Sequence, residues 1–247
     1  MVVTSRILQE KMGVDPEIAD YFANQRPVPA NNLFWNNKRI YLSSGFGFLT
    51  IPFAFDLMFK CGISKSVLLD DRHVTLMENG FDQLKRYENQ LISSEDFLNA
   101  CKQLLKEHIK QPNLASDLFS LFSGMSPRFF QFEQQFKALA RSDSFLFTLV
   151  DMDVADKWVS DFLPYWYALA RPILLLDDFK DLMEDRVSND ENTIIELGND
   201  KAAILKAYEL GLQDLNLLQS INPELGAIMK KLLEDALNFQ HIKGLLS

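Results

Sequence analysis

The chain has 247 residues, of which 47% are apolar and 12% aromatic, with 20 Phe and few Gly or Pro. This composition describes a folded globular protein and excludes a disordered or fibrous chain. The net charge of −9 argues against a nucleic-acid-binding surface, which needs a basic stripe along the phosphates.

The first residues predict two short helices followed by a loop. One helix is expected over residues 4–11, and a second begins where Asp15 caps a helix that has Pro16 at its first position. Residues 26–37 combine two prolines and four asparagines with Phe and Trp. This composition predicts an extended aromatic loop that lies on the body of the protein.

Residues 38–60 are apolar almost all round, which predicts a buried helix or two helices broken near Pro52. Phe-rich helices usually belong to a core. The alternative is that the aromatic side chains of this stretch line a ligand pocket. That pocket would have four phenylalanines in its wall: Phe46, Phe48, Phe53 and Phe55.

The rest of the chain shows helical spacing throughout. Helices are predicted over residues 63–90, 94–108, 114–122, 128–141, 142–161, 201–220 and 224–243. Another helix begins near Pro172 or is kinked there, and residues 187–200 read as a loop. We therefore expect one all-α domain over residues 1–247, a bundle of roughly eight to eleven helices around a central cavity.

Other sequence features set the class of protein. Cys61 and Cys101 lack CxxC spacing, which predicts free thiols in a reducing compartment. The three histidines lack the spacing of a metal site. No apolar run approaches the ~20 residues of a membrane span, and the N-terminus lacks the apolar segment of a signal peptide, so we expect a cytoplasmic protein.

Residues 173–191 turn from an apolar run into the most acidic segment, with seven acidic residues against two basic ones. On a helix, one face carries four of these carboxylates, and Asp178 borders it. The four are Asp177, Asp181, Glu184 and Asp185. Like charges at these spacings repel, so a bound divalent cation such as Mg²⁺ would explain them. A solvated acidic surface is the alternative.

The sequence DDFKD at Asp177–Asp181 resembles the DDxxD motif of class I isoprenoid synthases, the all-α family of prenyl diphosphate synthases, squalene and phytoene synthases and terpene cyclases. The following MEDR…NDE is similar to the polar end of that family's metal-binding helix. The resemblance implies the same fold with a central apolar cavity, and an enzyme that ionises an isoprenyl diphosphate. It also implies that about three Mg²⁺ ions bind the diphosphate between two acidic motifs.

The resemblance assigns roles to individual residues. It implies Mg²⁺ ligands at Asp177, Asp178 and Asp181, extended by Glu184 and Asp185. It implies that four basic side chains act on the diphosphate oxygens: Arg171, Lys180, Arg186 and Arg128. The apolar pocket wall would come from the four phenylalanines of residues 38–60.

A second acidic motif should face the first, but no DDxxD occurs upstream. The best candidate is the pair Asp70 and Asp71, and Asp56 is the other possibility. The basic residues beside the pair leave an ordinary surface position as the alternative. A degenerate, non-catalytic binding or regulatory protein of the same fold is therefore the second hypothesis. The sequence leaves the oligomeric state open, a homodimer included.

Overall fold

The computed structural model describes residues 3–43, 46–133 and 135–246, which form helices and no strand, so the prediction of an all-α protein is confirmed. Very short helices such as α4 bring the number in this part of the chain above the predicted eight to eleven. The helices are α1 (Ser5–Met12), α2 (Pro16–Asp20, continued by a π-helical turn Tyr21–Gln25), α3 (Phe46–Lys60), α4 (Lys65–Leu68), α5 (Asp71–Glu88), α6 (Ser94–Leu105), α7 (Pro112–Phe122), α8 (Lys137–Ser142), a 3₁₀ helix (Asp143–Asp151), α9 (Asp156–Ser188), α10 (Thr193–Glu196), α11 (Lys201–Ile221), α12 (Pro223–Ala236) and α13 (Gln240–Leu246).

Helix α9 is the axis of the fold. Its 33 residues span about 50 Å, and it packs against α11, α12 and α3. Side chains such as Trp166 and Leu175 are buried along its middle. The helix starts at Asp156 and continues through Pro164 and Pro172, so of the two predicted alternatives, a start or a kink near Pro172, the start is wrong. Each proline removes one helical N–H donor.

Several helices begin at the caps that the sequence predicts. The Asp15 carboxylate accepts the Glu17 N–H at 3.0 Å at the start of α2. Ser93 and Asp96 form a reciprocal capping box at the start of α6. These caps satisfy backbone donors that have no partner within the helix, which is why the boundaries can be read from the sequence.

Residues 26–43 connect α2 to α3 without a helix and pack on the body through aromatic rings. Trp35 is 1% exposed, and its indole N–H donates to the Tyr41 carbonyl at 3.0 Å. The Phe34 ring lies 4.7 Å from the Phe81 ring and 4.8 Å from the Phe48 ring. This segment therefore belongs to the core rather than to a free linker.

The predicted helix over residues 128–141 is wrong in its first part. The described residues of this stretch are irregular up to α8, which covers only Lys137–Ser142. The buried Asp117 carboxylate of α7 accepts the backbone N–H groups of residues 128–130 at 2.7 to 2.8 Å. These bonds take the place of helical ones. The predicted helix at 142–161 likewise divides into the 3₁₀ helix and the first turns of α9.

Two further predictions concern the class of protein. Within the described ranges, no helix is long and apolar enough to cross a bilayer. Cys61 and Cys101 are free thiols, as predicted. Burial raises the pKa of Cys61 to about 11 and that of Cys101 to about 12, so neither is a reactive thiolate near neutral pH.

Candidate functional site

The acidic end of α9 opens onto a cleft of about 520 Å³. Its walls are the last turns of α9, the turn after it, the C-terminal end of α5, and α8. Acidic side chains dominate the lining: Glu88, Asp177, Asp178, Asp185, Asp190 and Glu191. The remaining lining residues are Tyr87, Gln90, Leu174 and Arg141. The cleft is therefore a concentration of negative charge beside one cation.

Asp177 presents its carboxylate to the cleft and is the most accessible member of the DDFKD motif. Its side chain is 69% exposed. The surrounding protein displaces part of the water near the carboxyl and so raises the pKa of Asp177, although the side chain is largely exposed, and the negative charge of Asp181 raises it further. Asp181 contacts Lys180, whose Nζ lies 2.7 Å from Oδ1. Asp181 and the exposed Glu184 are not among the residues that line the cleft.

Asp178 and Asp185 hold the turn that follows α9. The Asp178 carboxylate is buried and accepts the Thr193 N–H at 3.0 Å, at the start of α10. The Asn192 side chain donates to the Asp178 carbonyl at 2.9 Å and to the Asp185 carboxylate at 2.8 Å. Burial raises the pKa of Asp178 to about 6, and the charges of Asp185 and Asp177 add to the effect. Both carboxylates therefore have a structural role.

The bases that the sequence assigned to a diphosphate do not line the cleft. Arg171 is buried between Asp214 and Glu133, at 3.0 and 3.1 Å. The Lys180 Nζ lies 2.7 Å from the Asp181 carboxylate and 3.9 Å from that of Asp177, Arg186 donates to Asn199 at 2.6 Å, and Arg128 is exposed in the irregular segment before α8. Proximity in sequence to Asp177 did not bring the side chains of Arg171 and Arg186 to the cleft, and Arg128, which was expected on another helix, does not line it either.

Arg141 is the only base among the described residues that line the cleft, and the sequence interpretation missed it. Its Nη1 lies 3.6 Å from the Glu191 carboxylate. No motif marks this arginine, because it reaches the cleft through the short helix α8. Only the irregular path of the preceding segment brings α8 to the acidic end of α9.

The wall opposite α9 is the end of α5, where Tyr87, Glu88 and Gln90 line the cleft. Asp70 and Asp71 lie at the start of the same helix, about 26 Å away along its axis. The structure therefore does not bring this pair to Asp177. Helix α5, which was expected to face the acidic motif, does so through its C-terminal end rather than through Asp70 and Asp71.

The earlier candidate acids have structural partners. The Asp70 carboxylate caps α5 by accepting the His73 N–H at 3.3 Å. Asp71 pairs with Arg26. Asp56 is 1% exposed and accepts hydrogen bonds from the Asp15 backbone N–H and the Asn222 side chain.

Of the phenylalanines proposed as a pocket wall, the three with described side chains belong to the core. Phe53 and Phe55 are 2% and 0% exposed, and the Phe55 ring packs on Phe22 at 4.8 Å. Phe48 packs on Phe34, and the Phe46 side chain lies outside the described part of the structure. None of the three described rings lines the acidic cleft.

An apolar cavity of about 40 Å³ lies between α5, α6 and the 3₁₀ helix. Its lining includes Met77, Phe81, Leu84, Phe97 and Phe145. Ligand pockets for small molecules usually enclose about 300–1,000 Å³. The cavity therefore has the apolar character expected for an isoprenyl chain but needs side-chain movement to admit one.

Among the described residues, no group of three or more His, Cys, Asp or Glu side chains is arranged to hold a metal ion. Mg²⁺ does not require such a cage, since it usually binds one or two carboxylates together with water and phosphate oxygens. The exposed Asp177 carboxylate fits that kind of ligand.

Comparisons of this chain with protein-family models, with curated proteins and with solved structures found no match.

Proposed function

We propose that the protein is a Mg²⁺-dependent enzyme that acts on an isoprenyl diphosphate and holds the metal–diphosphate group in the acidic cleft. The observation that carries the proposal is the convergence of acidic side chains from α9, from the turn after it and from the end of α5 on one cleft, where Arg141 is the one base among the described lining residues. Such a lining repels a free diphosphate and accepts one that is complexed with Mg²⁺.

Each residue has a defined part in this proposal. Asp177 is the first metal ligand, since its carboxylate is accessible and gains from a nearby cation. Glu88 is the acidic residue of the facing wall and takes the place proposed for Asp70 and Asp71. Mg²⁺ supplies charge that stabilises the diphosphate as a leaving group. The apolar cavity beside α5 would hold the hydrocarbon chain after its side chains move.

Removal of the exposed Asp177 carboxylate together with that of its neighbour Asp181 tests this proposal. Asp177→Ala combined with Asp181→Ala should weaken Mg²⁺-dependent binding of prenyl diphosphates by about 10- to 100-fold. Isothermal titration calorimetry with prenyl diphosphates of increasing chain length measures this. Asp161→Ala is the matched control, because Asp161 is an exposed acid on the same helix. Equal binding by the double variant and this control would remove Asp177 from the site.

A non-catalytic protein that binds the same ligand is the second candidate. The observations that favour it are the small volume of the apolar cavity and the structural partners of Asp56, Asp70 and Asp71. Diphosphate release and hydrocarbon products, followed together, separate the candidates. Release with product supports the enzyme, whereas Mg²⁺-dependent binding without turnover supports the non-catalytic protein.

A further inference from the structure

Two contacts join α8 to the segment that follows α9. The Arg141 guanidinium lies 3.6 Å from the Glu191 carboxylate. At the other end of α8, the Lys137 N–H donates to the two Glu196 carboxylate oxygens at 3.3 and 3.4 Å. Helix α8 is therefore docked on residues 191–196, and Arg141 stands at the edge of the acidic cleft.

The Arg141–Glu191 pair is weakly formed. Its 3.6 Å separation exceeds the 2.7–2.9 Å of a charge-assisted hydrogen bond, and the side chains are 47% and 38% exposed. An exposed pair of this kind contributes little to stability. A guanidinium has five N–H donors in a planar fork, and the distant Glu191 carboxylate, the one ion-pair partner of Arg141 among the described residues, leaves most of that capacity available.

We infer that Arg141 recognises the phosphate of the cleft's ligand and that Glu191 competes with this phosphate for the same guanidinium. The inference rests on the proposed function, because it assigns a ligand to the acidic cleft. A phosphate can accept two parallel N–H bonds from arginine, which the distant Glu191 carboxylate does not do. Binding therefore replaces Glu191 by phosphate as the partner of Arg141.

The competition gives Glu191 a role opposite to that of a metal ligand. Glu191 adds negative charge next to the phosphate position and occupies the base that the phosphate needs. Replacing Glu191 by a neutral residue should therefore strengthen phosphate binding. If Glu191 were a Mg²⁺ ligand, the same change would weaken binding.

Calorimetric titration of the whole protein with inorganic diphosphate in the presence of Mg²⁺ tests the inference. We expect Arg141→Gln to weaken binding about 10- to 100-fold, the loss typical of a hydrogen bond to a charged group. We expect Glu191→Gln to strengthen binding roughly two- to fivefold. In the double variant, Glu191→Gln should give a smaller gain than in the wild type, because the part that comes from releasing Arg141 is absent. Arg6→Gln, an exposed arginine that pairs with Glu10 on α1 and does not line the cleft, should bind as the wild type does.

The outcomes separate this inference from the proposed function. If the wild type does not bind Mg²⁺–diphosphate, both fail. If the wild type binds and Arg141→Gln binds equally well, only the inference fails. Weaker binding by Glu191→Gln also overturns the inference, because it makes Glu191 a ligand rather than a competitor. A thermal melt of each variant checks folding, and Glu191→Gln alone still decides the competition if Arg141→Gln does not fold.

Discussion

At the scale of single residues, burial decides what each aspartate of the acidic helix can do. Asp177 and Asp178 are consecutive, yet their side chains point about 100° apart on the helix. The Asp177 side chain is 69% exposed, whereas Asp178 is 6% exposed and binds the Thr193 N–H. The DDFKD spacing predicts which residues share a face. It does not predict that the segment after the helix folds back and that its Thr193 N–H binds the Asp178 carboxylate.

The buried Asp143 should make stability depend on pH. Burial raises its pKa from 3.8 to about 7, despite hydrogen bonds from Trp166 and Tyr167. The unfolded carboxyl titrates near pH 3.9, so this group's contribution is intact below that pH and is lost as the pH rises through about 7. The full shift corresponds to a loss on the order of 4 kcal/mol.

Asp143→Asn cannot ionise and should remove this pH dependence. We expect the variant to exceed the wild type in free energy of unfolding by roughly 1 kcal/mol or more at pH 8, and the difference to shrink toward pH 4. Urea unfolding at several pH values measures it. The exposed Asp153→Asn should keep the wild-type curve shape. A wild type that gains stability relative to Asp143→Asn between pH 4 and 7 would contradict the assignment.

At the scale of elements, the nearby sequence predicted the helices that begin at an N-cap residue. It failed where a side chain distant in sequence binds the backbone. Asp15 and Ser93 cap their own helices, so the sequence nearby is sufficient to place them. Residues 128–130 have the composition of a helix after Pro127. Their N–H groups instead bind Asp117, and this tertiary contact has no local signature.

Asp117→Asn should loosen the segment before α8. A carboxylate accepts three N–H groups here, whereas an amide has one oxygen and its NH₂ faces donors. We expect a loss of about 2 kcal/mol or more in stability and faster hydrogen exchange at residues 128–130. Asp161→Asn, an exposed acid on α9, should cost less than about 0.5 kcal/mol. Unchanged protection of the Phe129 and Phe130 amides would show that other contacts hold the segment.

At the scale of the whole molecule, the direction of α5 determines which acid can oppose Asp177. The helix begins at Asp71 beside Arg26 and ends at Glu88 in the cleft. The sequence predicted a helix in this region, but its orientation relative to α9 is set by packing across the bundle. The sequence therefore predicted the helix that lines the cleft, α5, but placed the opposing acids at its start, whereas the cleft is at its end.

A second long-range arrangement joins the beginning of the chain to its C-terminal part. Asp56 of α3 binds the Asp15 N–H at 2.8 Å and the Asn222 side chain at 3.1 Å, and Lys60 pairs with it. Gly13 has φ 61°, and a Cβ there would lie 2.5 Å from the Asn222 oxygen. The close approach of these segments therefore needs both the buried carboxylate and a residue without a side chain.

Asp56→Ala should destabilise the whole bundle rather than one helix. It leaves the half-buried Lys60 ammonium without its carboxylate and removes an acceptor from Asp15 and Asn222. Breaking a buried pair in this way costs about 3–5 kcal/mol. The midpoint of urea unfolding, followed by far-ultraviolet circular dichroism, should fall with little change in slope. Asp235→Ala breaks an exposed pair with Lys231 on α12 and should cost less than about 1 kcal/mol. Equal midpoints for the two variants would mean that Asp56 does not join these segments.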